Sequence, residues 1–151
     1  MAPSRIAFRI AHVELGPGTG WNVMPVVDGV PLVEHARRQE VRPARAAKQP
    51  NLAGASAGLA IGDPASTEWQ QWYLGEGMSW FGDGDTCLLG CGCGDTGCWP
   101  LTAHVEIGAQ TVRWHGFRNG HRDWDLSGLG PFVFARDAYE RALASPEVLP
   151  G

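Results

Sequence analysis

Lysine is almost missing from this chain of 151 residues. Lys48 stands alone, and the 12 basic residues are outnumbered by 16 acidic ones, for a formal net charge of -4. With no basic stripe to neutralise phosphates, neither nucleic acid nor an anionic membrane is an expected partner. The arginines of HARRQEVRPARAAK make one local run, read as a solvated helix end or loop. Long apolar runs are missing too. None approaches the ~20 residues of a bilayer span, and MAPSRIAFRIAHVELG mixes charged and apolar residues where a secretory leader has an unbroken apolar stretch. The expected location is therefore cytoplasmic. H-E-x-x-H and a Walker loop do not occur. Cysteine is confined to one stretch, TCLLGCGCGDTGCWPL, which carries all four: Cys87, Cys91, Cys93 and Cys98. In a reducing compartment such clusters are more often metal ligands or catalytic groups than disulfides.

The length fits a single domain over residues 1–151, which buries roughly two thirds of its unfolded surface and needs no crosslink to hold a core. Ile6, Phe8 and Ile10 alternate at period two, the pattern of a strand with one buried face. Asp28-Gly29 between valine-rich runs predicts a two-residue hairpin, and Pro25 and Pro31 predict edge strands. From Glu40 to Ser66 the chain turns rich in Ala, Gly and Pro, which predicts a long surface loop with at most a short helix. Trp69, Trp72 and Trp80 are expected in a core or groove. LTAHVEIGAQTVRWHGF predicts a hairpin turning at Gly108-Ala109. That register sets Val105 opposite Val112 and Ala103 opposite Trp114 on one face, with His104, Glu106, Arg113 and His115 on the other. GPFVF reads as a strand and ARDAYERALAS as a closing helix with Asp137 in its first turn. The expected class is α+β, a mostly antiparallel sheet built from hairpins with a C-terminal helix.

Gly92, Gly94 and Gly97 form a literal G-x-G-x-x-G. That fingerprint holds a pyrophosphate only between a strand and a helix, and here Cys98-Trp99-Pro100 leads to another strand. Thiolate ligands explain the glycines better, because backbone amides must turn toward sulfur in a tight loop. Zinc takes tetrahedral ligands with sulfurs about 4 Å apart, a spacing that Cys91, Cys93 and Cys98 can reach from one loop. Cys87, if TCLLG is extended, has its Cα about 13 Å from that of Cys91, and reads as a buried apolar residue. The hairpin register, continued, brings Cys98 opposite Asn119 and makes His121 the expected fourth ligand. His104 and His115 lie farther along the strands, and His12 and His35 have no spacing argument.

LLGCGCGDTGCWPL, followed by VRWHGFRNGHRDWD, GPFVF and AYERAL, resembles a family of small bacterial proteins with the signature LLGCxCGxxGCWPL and no assigned activity. The resemblance covers mainly the C-terminal half. It implies that Cys91, Cys93 and Cys98 belong to the pattern and that Cys87 is peripheral.

A metal-stabilised domain, with zinc as the cofactor, is the expected function, and it would bind a protein or small ligand through surfaces near Trp99 and Trp124. The alternative is an enzyme using the same loop, either a thiol redox enzyme or a zinc-dependent hydrolase with His121, Asp123 and Asp125 beside the thiols. Three thiolates make zinc a poor Lewis acid, which favours a structural site.

Overall fold

The computed structural model describes residues 2–150 and is α+β, its ten strands arranged mostly antiparallel in two sheets. β1 (Ile6–Leu15) pairs along its length with β2 (Gly18–Val27), and its alternation buries Phe8 and Ile10. Asp28 and Gly29 both take positive φ, 52° and 79°, and close a tight turn that sets Val27 opposite Val30 of β3 (Val30–Pro31). The Arg5 amide donates to the Asp28 carboxylate at 2.8 Å and holds that carboxyl below its ordinary range.

Beyond this turn two expectations are corrected. The second valine-rich run ends after two residues, and Leu32–Ala46 forms helix α1 where a strand and then a loop were expected. Its buried face is Leu32, Ala36, Glu40 and Ala44, one residue per turn. Two alanines and a glutamate are a faint apolar stripe, and Pro43 in the last turn reads locally as a stop. Pro25 does not mark an edge, since β2 is flanked by β1 on one side and by β3 and β5 (Leu59–Ile61) on the other. β5 covers Trp21 to Val23 and β3 covers Val26 and Val27, so Pro25 falls in the gap between them, where no donor is needed.

The rest of the expected loop ties the sheets together. β4 (Ser56–Ala57) joins the second sheet by pairing with β6 (Thr86–Cys91), and β5 joins the first by pairing with β2. Gly58 sits between them so close to β2 that a Cβ would lie 2.5 Å from the Val23 carbonyl oxygen. The second sheet continues through β7 (Leu101–Ile107), β8 (Thr111–Asn119) and β9 (Phe132–Ala135). Helix α2 (Arg136–Ala144) follows, and β10 (Glu147–Val148) returns in parallel beside β1. No helix among the described residues is long and apolar enough to cross a membrane.

The β7–β8 register differs from expectation. Gly108 donates its amide to the Thr111 carbonyl at 2.8 Å, so the turn lies one residue later, and Ile107 faces Val112. A slip of two along the pairing keeps each residue on its expected face, and Ala103, Val112 and Trp114 are buried. A bulge then adds one more residue at β8, where Gly116 takes φ 66°. Past it the buried positions move to Phe117 and Asn119. Both sheets share one core. Phe8, Trp69, Tyr73, Trp114, Phe134 and Tyr139 interlock in it, with the Phe8–Tyr73 and Trp114–Phe134 centroids each 4.9 Å apart. The Trp114 indole donates to the Tyr139 hydroxyl, which donates to the Tyr73 carbonyl, while the Tyr73 hydroxyl donates to the Leu88 carbonyl. These bonds satisfy the side-chain polar atoms of Trp114, Tyr139 and Tyr73 and fasten β6 to the core.

Candidate metal site

The loop from Gly92 to Pro100 connects β6 to β7, and both of its ends are held. β6 is buried from Thr86 to Gly90 and ends on Cys91, which pairs with Ser56 of β4. The Ser56 hydroxyl in turn donates to the Trp99 carbonyl at 3.1 Å, linking the exit of the loop to its entry. Within the loop the Gly94 amide closes a turn on the Cys91 carbonyl at 3.0 Å, and Gly94 takes φ 92°, a conformation that excludes most side chains. The Cys93 amide points back at Cys91 Sγ, 3.4 Å away. Asp95 builds the second turn, its carboxylate accepting from the Gly97 amide at 3.0 Å and its carbonyl from the Cys98 amide at 3.1 Å. The tip of the β1–β2 hairpin buttresses the loop through the Gly16 amide, which donates to the Gly92 carbonyl at 3.2 Å.

These contacts bring Cys91, Cys93 and Cys98 together, with their ligand atoms all within 4.8 Å of one another, a group able to hold a metal ion. Cys91 is half-buried and the other two are exposed. The Asp95 amide and the Cys91 thiol donate toward Cys93 and lower its pKa. Cys98 is pushed up to about 11 because its own proton is shared with Cys91 and Cys93. A cation at the centre would replace these shared protons.

Cys87 stands apart. It pairs with Thr102 inside the second sheet and is fully buried, and burial, with the nearby Asp85 charge, pushes its thiol up to about 12. It behaves as the apolar residue expected from its place on an extended strand.

His121 reaches the loop but not the sulfur group. Asn119 faces Leu101 instead of Cys98, a displacement of three residues made up of the later turn and the bulge. His121 still folds back, its Nε2 hydrogen-bonded to the Gly97 carbonyl at 2.8 Å and its ring edge-on to Trp80 at 4.7 Å. The set of mutually close donor atoms comprises the three sulfurs alone among the described residues. The other candidates lie elsewhere. His104 and His115 stack on each other at 5.4 Å and meet Asp83 and Glu106, and the exposed Asp125 accepts from the Ser127 amide. His35 Nε2 donates to the Val27 carbonyl at 2.9 Å, and His12 rests against Trp21.

Three further residues, Arg122, Glu40 and Asn119, connect the exit of the loop at Trp99 with helix α1. The Arg122 guanidinium lies 3.5 Å above the Trp99 ring and 5.0 Å from that of Trp124, so both tryptophans clamp a cation. Burial lowers the pKa of Arg122, and the Glu40 charge opposes that. Glu40 is itself 1 % exposed, accepting from the Gly54 amide at 2.8 Å and from Asn119 Nδ2 at 2.7 Å. The spacing Leu32, Ala36, Glu40 was the only signal for Glu40, and nothing local singles out Asn119 or Arg122.

Comparison of the chain with protein-family models, curated proteins and solved structures returns no match.

Proposed function

We propose that the β6–β7 loop is a zinc site formed by the thiolates of Cys91, Cys93 and Cys98, and that the domain is a metal-stabilised binding or interaction module. The observation that carries this reading is the mutual approach of three sulfurs within 4.8 Å on a loop anchored at both ends. Three soft donors without a redox partner suit zinc. A four-cysteine iron–sulfur cluster would need Cys87, whose side chain lies inside the sheet. The binding role is supported by the aromatic rim beside the loop: Trp99, Arg122 and Trp124 in one stack, Trp80 with His121 in another, and the exposed Phe81 under Arg118. Aromatics and arginine are the residues that anchor interfaces.

Adding zinc to reduced, chelator-treated protein tests the reading. At a thousandfold excess over the dissociation constant, linkage gives about 4 kcal/mol, or roughly 10 °C in Tm for a chain of this size. A Tm indifferent to zinc in fully reduced protein contradicts it.

A further inference from the structure

We infer that the fourth ligand of this ion is a thiolate supplied from outside the chain, an inference that rests on the metal reading above. Zinc in a closed site takes four donors, and the loop offers three. Each internal candidate for the fourth place is held elsewhere. The Asp95 carboxylate caps the Gly97 amide at 3.0 Å. His121, fixed by its Gly97 hydrogen bond and its Trp80 contact, brings neither ring nitrogen into the group of donors that lie within 4.8 Å of one another, and Cys87 is enclosed in the sheet. The remaining approach is from solvent, on the side where Cys93 and Cys98 are exposed.

Water and thiolate are the two ready occupants of that approach, and the surroundings select the second. Three thiolates quench the acidity that zinc imparts to a bound water, and they favour a fourth soft donor. Arg122 supplies a positive charge beside the loop through its stack on Trp99, the residue following Cys98, which offsets the negative charge of a fourth thiolate. On binding, the thiol gives its proton to solvent and its sulfur displaces water from the metal, with no change in oxidation state. The site then works as a receptor for a thiol, either a free small molecule or a cysteine side chain on another polypeptide.

Cobalt(II) in place of zinc makes the prediction visible, because each bound thiolate adds sulfur-to-metal charge-transfer absorption. Titrating the cobalt-loaded full chain with glutathione should raise that absorption by about one third, the step from three thiolates to four, with saturation. His121→Ala should bind cobalt and respond in the same way. Repeating the titration with a reduced single-cysteine peptide separates the sources: equal midpoints assign the place to free thiols, and a midpoint at least tenfold lower for the peptide assigns it to a protein cysteine. A chain that takes up no cobalt overturns the metal reading and this inference with it. Cobalt bound with a spectrum that glutathione leaves unmoved overturns the inference alone, and the further finding that His121→Ala becomes responsive would place His121 on the metal.

Discussion

Cys87 and Cys91 are four residues apart on the same strand, and they live in opposite chemical worlds. Cys87 lies where β6 is covered on both faces, so its thiol is desolvated and pushed up to about 12. Cys91 ends the same strand, at the point where a glycine-rich loop turns the Cys93 amide and two more sulfurs toward it. The contrast shows that a cysteine's chemistry follows from what the backbone does next. A strand that continues into the sheet makes the thiol a piece of core, and a strand that breaks into a turn makes it a candidate ligand.

The largest difference should appear on removing one sulfur from each region. Cys91→Ser is expected to abolish stoichiometric zinc binding and the zinc-dependent rise in Tm, while Cys87→Ala keeps both and costs about 1–2 kcal/mol of stability through lost packing. Metal analysis and thermal unfolding of the two variants check this, and equal metal content in both would erase the distinction. Asp85, at the foot of β6, comes next. Burial works against its charge, yet Ser79 Oγ and the amides of Trp80 and Phe81 donate to it and hold its carboxyl below the ordinary range. Asp85→Asn should cost about 2 kcal/mol, read from denaturant midpoints, because a charged acceptor with several donors is lost. That contribution is present above the unfolded carboxyl pKa and disappears as pH falls through the depressed folded value, so the variant should also lose acid-side pH dependence.

On the alkaline side the sign reverses for Cys87. Its pKa is raised from 9.0 to about 12, so its contribution is full below pH 9 and is lost as pH rises from there through 12. Wild-type stability should therefore fall over that window more steeply than that of Cys87→Ala, in metal-free protein followed by circular dichroism. Parallel slopes would show that Cys87 is not desolvated. The smallest effect belongs to His121→Ala, which removes one exposed hydrogen bond to Gly97 and should lower stability by about 1 kcal/mol or less without releasing zinc.

The sulfur triplet was legible because its members are close in sequence and their glycines have a local geometric reason. β1, the Asp28-Gly29 turn, β6, β9 and α2 were legible on the same grounds, each from a local pattern. What escaped depended on distant partners. α1 hides its buried stripe behind alanines and Glu40, whose carboxylate makes sense only once Gly54 and Asn119 arrive to donate to it. β4 and β5 are too short to show a period and exist because two different sheets meet them. In β7–β8 the faces were readable and the pairing was not. A turn displaced by one residue preserves the faces, and Gly116 can host a bulge without any local requirement that it do so. That slip is what carried the expected position of His121 away from the strand ladder, and a single hydrogen bond to Gly97 brings it back to the loop's edge.

The most direct test is the metal content of the wild-type chain, purified under reducing conditions without chelator and counted by elemental analysis against protein concentration. The account predicts about one zinc per chain, lost together with stability when a chelator is added. Freshly reduced protein with three titratable thiols in the loop and no bound metal, before or after exposure to zinc, would contradict it.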